Sequence, residues 1–122
     1  MRIGVLAERA GVSVRSLRYY EEQGLLTSTR SPSGQRHYAE DAVERVRFLQ
    51  RLYTAGLSSR TIAELLPCVD SPSDDNTETA FRRMLEERDH LTTHIDELTR
   101  ARDALDELIE ANRSYYTARA LA

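Results

Sequence analysis

Residues 3–26 read Ile3-Gly4-Val5-Leu6-Ala7-Glu8-Arg9-Ala10-Gly11-Val12-Ser13-Val14-Arg15-Ser16-Leu17-Arg18-Tyr19-Tyr20-Glu21-Glu22-Gln23-Gly24-Leu25-Leu26. Ile3, Leu6, Ala7 and Ala10 recur at helical spacing, and Gly11 follows where a left-handed cap would sit, which predicts a first helix over 3–10. Ser13 is placed to cap a second helix from Val14 to about Gln23, with Gly24 ending it. The order Ala7, Gly11, Val12, Ser13 suits two helices crossing through a helix-turn-helix turn, the small alanine permitting close approach. On the second helix Val14, Leu17 and Tyr20 fall on or beside one side, while Arg15, Arg18, Tyr19 and Glu22 share the other, an exposed and mostly basic face. Glu21 lies near the apolar side, where an unpaired carboxylate is costly, so it is expected to pair with an arginine or to cap backbone amides.

Downstream the period changes. Leu25 to Arg30, a Ser31-Pro32-Ser33-Gly34 turn and Gln35 to Tyr38 read as a small hairpin, a wing whose turn is flanked by Arg30, Arg36 and Tyr38. A third helix is expected over about 40–55, with Val43, Val46, Leu49, Leu52 and Tyr53 inward and Gly56 as its stop. Ser58 caps a fourth helix with Ile62, Leu65 and Leu66 inward, and Pro67 should prevent it from continuing far. Arg60 lies in the first turn of that helix, where free amides and the helix dipole favour an anion.

The division that follows is a winged helix-turn-helix head over 1–67, a linker over 68–77, a helix over 78–114 and a short tail over 115–122. Asp75 with Glu78 resembles a capping box for the long helix. That helix is heptad-patterned: Phe81, Arg88, Ile95, Arg102 and Ile109 occupy one position, and Met84, Leu91, Leu98, Leu105 and Asn112 the position three later. So long and narrow a stripe calls for a partner helix, and self-pairing makes a homodimer through Phe81, Met84, Leu91, Ile95, Leu98, Leu105 and Ile109.

The chain has 122 residues, 40% hydrophobic and 30% charged, a size for one domain and a helical appendage. Its mean hydropathy of −0.55, with no apolar run near bilayer length, leads to the expectation of a cytoplasmic protein without a membrane partner. One cysteine, Cys68, supplies neither an internal disulfide nor a thiolate cluster. The formal net charge of −3 conceals an asymmetry: residues 1–60 hold 10 Arg against 6 acidic residues, and residues 61–122 hold 7 Arg against 14. The basic half suits an anionic partner that the acidic half would repel. All 17 basic residues are arginine, which a codon bias explains as readily as selection for DNA.

The run 3–26, continued through Gly34-Gln35-Arg36-His37-Tyr38 and Ala55-Gly56-Leu57-Ser58, resembles the N-terminal part of MerR-family transcription regulators. Leu17-Arg18-Tyr19-Tyr20-Glu21 followed by Gly24-Leu25-Leu26 is the most specific element, and the resemblance extends over residues 1 to 112. It implies a mainly α fold, with a winged helix-turn-helix head, a small β-hairpin wing and an antiparallel coiled-coil dimerisation helix. The implied function is a dimeric, sequence-specific regulator on a pseudo-palindromic element in double-stranded promoter DNA, distorted in response to an effector, with RNA polymerase as a further partner. Carried across by motif, Arg18 and Tyr19 of the recognition helix and Arg36 and Tyr38 of the wing would contact DNA. Arg15 joins them from its place near the start of the exposed helix face, and Arg60 from the fourth helix. Leu17 and Tyr20 are read as core, and Tyr38 can equally pack under the hairpin.

The effector is not legible. Metal sensing in the family relies on cysteines at both ends of the dimer helix, and residues 113–122 contain none. Cys68 is a redox candidate only with a partner thiol, and His90 with His94 only if further ligands converge, against the plainer reading of a solvated helix face. No cofactor is indicated, and no metal site. No nucleophile with an ordered base, phosphate loop or metal triad supports an enzyme. The alternative is a DNA-architectural or excisionase-like protein that uses the same head without an effector.

Overall fold

The computed structural model describes residues 1–121, in the order α1 (Ile3–Ala10), α2 (Val14–Glu22), β1 (Thr29–Arg30), β2 (Arg36–His37), α3 (Ala42–Thr54), α4 (Ser59–Asp70) and α5 (Asp74–Leu121). Its contacts divide it into two units, Met1–Ala80 and Phe81–Ala122.

In the first unit the turn between α1 and α2 forms because Gly11 sits at φ 73°, a left-handed conformation that releases its N–H to the carbonyls of Ala7 and Glu8. Ser13 then accepts from the Ser16 amide at 3.0 Å and starts α2. Gly24, at φ 75°, ends that helix, and Leu25 N–H reaches back to the Tyr20 carbonyl at 2.9 Å. This reversal drives Leu25 and Leu26 into the core, where Leu6, Leu17, Val46, Leu49 and Ile62 are also buried. The hairpin is antiparallel, with Thr29 opposite His37 and Arg30 opposite Arg36. Met1 runs beside its exit, its amino group donating to the Tyr38 carbonyl at 2.7 Å.

Three boundaries differ from expectation. Helix α3 starts at Ala42, after a tight turn in which Ala42 N–H bonds to the Ala39 carbonyl, and Asp41 makes no side-chain cap. The segment expected as a linker over 68–77 is mostly helical: α4 continues past Pro67 to Asp70, leaving only Ser71 to Ser73 between helices. Proline removes only its own N–H from the ladder, and the Ser71 amide still bonds to the Pro67 carbonyl at 2.9 Å. The cap expected from Asp75 and Glu78 is made two residues earlier, by Ser73 and Asn76.

The tail expected over 115–122 is helical as far as Leu121. Neither glycine nor proline interrupts it, and Arg113 with Glu110 (3.5 Å) and the Arg119 guanidinium over the Tyr115 ring (6.0 Å) brace its last turns. Along the second unit Phe81, Met84, Leu91, Ile95, Leu98, Leu105 and Ile109 are 45–60% exposed. Among the described residues no helix is long and apolar enough to cross a membrane.

Leu49 of α3 is fully buried in the core of the first unit. Leu49→Ala is expected to cost about 2–5 kcal/mol of the first unit's stability, read from the urea midpoint at unchanged slope.

Candidate nucleic-acid interface

The exposed face of α2 carries Arg15, Arg18, Tyr19 and Glu22, as its period requires. Arg18 opens onto a cleft of about 360 Å³ shared with Arg2, Ile3, Arg30, Gly34, Gln35 and Arg36. Four guanidiniums from α2, the hairpin and the residue before α1 therefore line one concavity, and no carboxylate does. Such a surface binds a polyanion: guanidinium is always charged and matches phosphate oxygens with paired N–H donors.

The hairpin is held against α2 by Glu21. Its carboxylate is about one-fifth exposed, accepts from the Ser28 hydroxyl and from the Tyr38 hydroxyl at 3.4 Å, and forms an ion pair with Arg36 at 3.3 Å. The expectation that Glu21 would find an arginine is met, and that arginine belongs to the wing. Arg36 keeps 40% of its side chain open while its head is steered by the carboxylate. Two more of the cleft arginines are also oriented: Arg30 donates to the Gly34 carbonyl at 2.9 Å, and Arg2 to the Gln35 side chain.

Tyr38 departs from its expected role. It is 2% exposed, packed beneath the hairpin, so its ring belongs to the core and its hydroxyl to Glu21. It is not a surface contact. The apolar ring stays out of water because its one polar atom finds an acceptor inside.

Tyr19 reaches a second feature. Its hydroxyl lies 2.9 Å from Ser59 Oγ, which also meets the Tyr53 hydroxyl at 2.5 Å, while Tyr53 stacks on Tyr20 with ring centroids 5.5 Å apart. This chain ties α2 to the N-terminal turn of α4. Arg60, the next residue, has 92% of its side chain exposed and only a 3.8 Å contact with Glu64. Arg18 and Arg36 thus share one cleft, whereas Arg15 and Arg60 are exposed outside it. Arg30 takes its expected place beside the wing turn, whereas Arg2 and Ser59 were not among the expected site residues; a basic residue directly before α1 was the available signal for Arg2.

Cys68 is half-buried and packs against the hydrophobic core. His94 lies 3.8 Å from Glu97, and no group of three or more His, Cys, Asp or Glu side chains converges among the described residues.

A family profile described as MerR HTH family regulatory protein matches residues 1–67, and one described as MerR, DNA binding matches residues 43–108. The chain is 36% identical to the HTH-type transcriptional activator SoxR homolog of Chromobacterium violaceum, over 88% of this chain and 72% of that protein. It is 35% identical to the mercuric resistance operon regulatory protein of Serratia marcescens, over 91% and 76%. Among solved structures it is similar to a MerR family transcriptional regulator from Bacillus cereus, with a TM-score of 0.69, 26% identity and coverage of 88% of this chain and 78% of that one. It is also similar to HiNmlR, a MerR family regulator lacking the sensor domain and bound to promoter DNA, with a TM-score of 0.61, 27% identity and coverage of 84% and 78%.

Two phenols under the interface ionise late. Burial, reinforced by the Glu21 carboxylate, holds the Tyr38 hydroxyl above its ordinary value of 10.0, and burial with the neighbouring Tyr53 does the same to Tyr20. A phenol whose folded value is raised favours the folded state below the unfolded value, so stability is full below about pH 10 and falls as pH rises through the higher folded value. In an ultraviolet titration of the six tyrosines, a late-ionising fraction is expected that Tyr20→Phe/Tyr38→Phe removes. Titration of all six as one normal class would contradict this burial.

Proposed function

The chain belongs to the MerR family of regulators, and from that premise we propose that it acts as a homodimer that reads two inverted half-sites in promoter DNA. The observation that carries the reading is the cleft in which Arg18 of α2 and Arg36 of the wing, joined by Arg2 and Arg30, form a carboxylate-free cationic wall. In this reading α2 enters the major groove with Arg15, Arg18 and Tyr19 toward the base edges. Arg36, Arg30 and Arg2 take the flanking backbone, and Arg60 with the amides at the start of α4 takes a further phosphate. The DNA complex of the similar HiNmlR supports duplex DNA as the partner.

The exposed stripe on α5 supports the dimer. Seven large apolar side chains at heptad positions are each about half open to water, an arrangement that a facing copy would relieve. A parallel, in-register pairing would set Arg88 against Arg88 and Arg102 against Arg102 on the seam, and antiparallel pairing avoids both encounters. Two heads on one dimer give bivalent binding, so affinity for paired half-sites exceeds that for one. Acting at a promoter, such a dimer works beside RNA polymerase and changes DNA geometry when its effector binds. By this reading the chain acts by binding, not by catalysis.

Selection from a random duplex pool at near-physiological salt tests the proposal: two inverted half-sites at fixed spacing are expected. Salt-sensitive retention without any motif would replace it with an architectural role. Arg18→Ala is expected to weaken operator binding by about 1–3 kcal/mol with dimerisation intact, and equal affinity would remove that residue from the interface. Leu98→Asp should yield monomers by sedimentation, and a persisting dimer would refute the seam.

A further inference from the structure

Between α4 and α5 only Ser71 to Ser73 are non-helical, and one side chain spans the break. Asn76, in the first turn of α5, uses both ends of its amide. Oδ1 accepts from the Ser73 backbone N–H at 2.8 Å, while the Asn76 backbone N–H donates to Ser73 Oγ at 3.2 Å, a reciprocal cap for α5. Nδ2 donates backwards, to the Pro67 carbonyl at 3.2 Å and to the Ser71 carbonyl at 2.7 Å. The first belongs to the last turn of α4 and also accepts from the Ser71 N–H at 2.9 Å, and the second is the carbonyl at the exit of that helix. The same end of α4 is pinned to α3 by the pairing of Asp70 with Arg45. Hydrogen-bonded links therefore run from α3 through the last turn of α4 to the first turn of α5.

We propose that Asn76 is a positioning residue: it cross-ties the first turn of α5 to the end of α4 and so sets the half-site spacing that the dimer accepts. This rests on the dimeric reading above. Only an amide fills the place, because the site demands one acceptor and two donors on a short side chain; aspartate keeps the acceptor and turns a second oxygen toward two carbonyls. The leverage comes from α5 itself. At roughly 1.5 Å per residue its 48 residues reach on the order of 70 Å, so a few degrees of play in the first turn become several ångströms along the helix. Successive base pairs are about 3.4 Å apart, so play on that scale blurs one spacing into the next.

The test compares wild type, Asn76→Asp and Ser73→Ala, all carrying Cys68→Ser. Spin labels at Thr54→Cys on α3 and Asp89→Cys on α5, diluted with unlabelled chain, report the intrachain distance distribution. Asn76→Asp should broaden it, whereas Ser73→Ala, which loses the side-chain half of the cap and keeps both Nδ2 bonds, should not. On duplexes carrying the selected half-sites at the selected spacing or one base pair away from it, Asn76→Asp should lose about tenfold of the spacing preference while binding a single half-site as wild type does. An unbroadened distribution in Asn76→Asp overturns the cross-tie whatever the DNA result. A broadened one with the full spacing preference overturns the role in spacing. If wild type itself shows no spacing preference, the two-half-site reading fails and the spacing role with it, while the distance measurement still decides the cross-tie.

Discussion

A single carboxylate, that of Glu21, gathers the parts of the head that must act together. It sits on α2, accepts from Ser28 at the entrance to the hairpin and from Tyr38 beneath it, pairs with Arg36 on it, and is mostly withdrawn from water. A two-residue strand pair has almost no stability of its own. Here the wing borrows order from a helix that is itself fixed by Ser13 at one end and Gly24 at the other. Because these contacts converge on one charged acceptor, Arg36 is presented by a framework and not as a loose side chain. That matters for binding, since side chains already oriented lose less entropy when they meet a phosphate backbone.

The helix ends were legible because their signals are local. Gly11 and Gly24 adopt the left-handed conformation that their places after helical runs suggest, and Ser13 and Ser58 cap as their positions require. Arg15, Arg18 and Tyr19 are exposed on α2 for the same reason, periodicity alone. What was not legible depends on residues distant in sequence. Tyr38 is buried because Glu21, 17 residues away, offers its hydroxyl a partner, and no local pattern separates that outcome from a surface tyrosine. Tyr19 meets Ser59 across 40 residues, and Arg2 joins Gln35 across 33. The linker differs from expectation for a different reason: Pro67 interrupts one rung and leaves later amides free to carry α4 three residues further, to Asp70. Asn76 was invisible behind the more familiar Asp75 and Glu78, since it is the geometry of the preceding helix end that gives its amide two carbonyls to hold.

The charge asymmetry now has a structural counterpart. Four of the ten arginines of residues 1–60 line one cleft and Arg15 lies on the helix beside it, whereas α5 intersperses its arginines with a larger number of carboxylates, some in pairs three residues apart such as Arg113 with Glu110. Exposed pairs of this kind add little to stability. Their larger effect is to keep the long helix from competing for the polyanion, so the head alone faces it.

The cleft wall is guanidinium throughout, and the chain contains no lysine at all. No side chain therefore carries a primary amine, and the chemistry by which cells and chemists mask cationic surfaces, acylation of an ε-amino group, has no target on this face. The charge on this face is consequently not one that lysine acylation can remove, and small ions competing for the phosphates are an ordinary means of loosening such a grip.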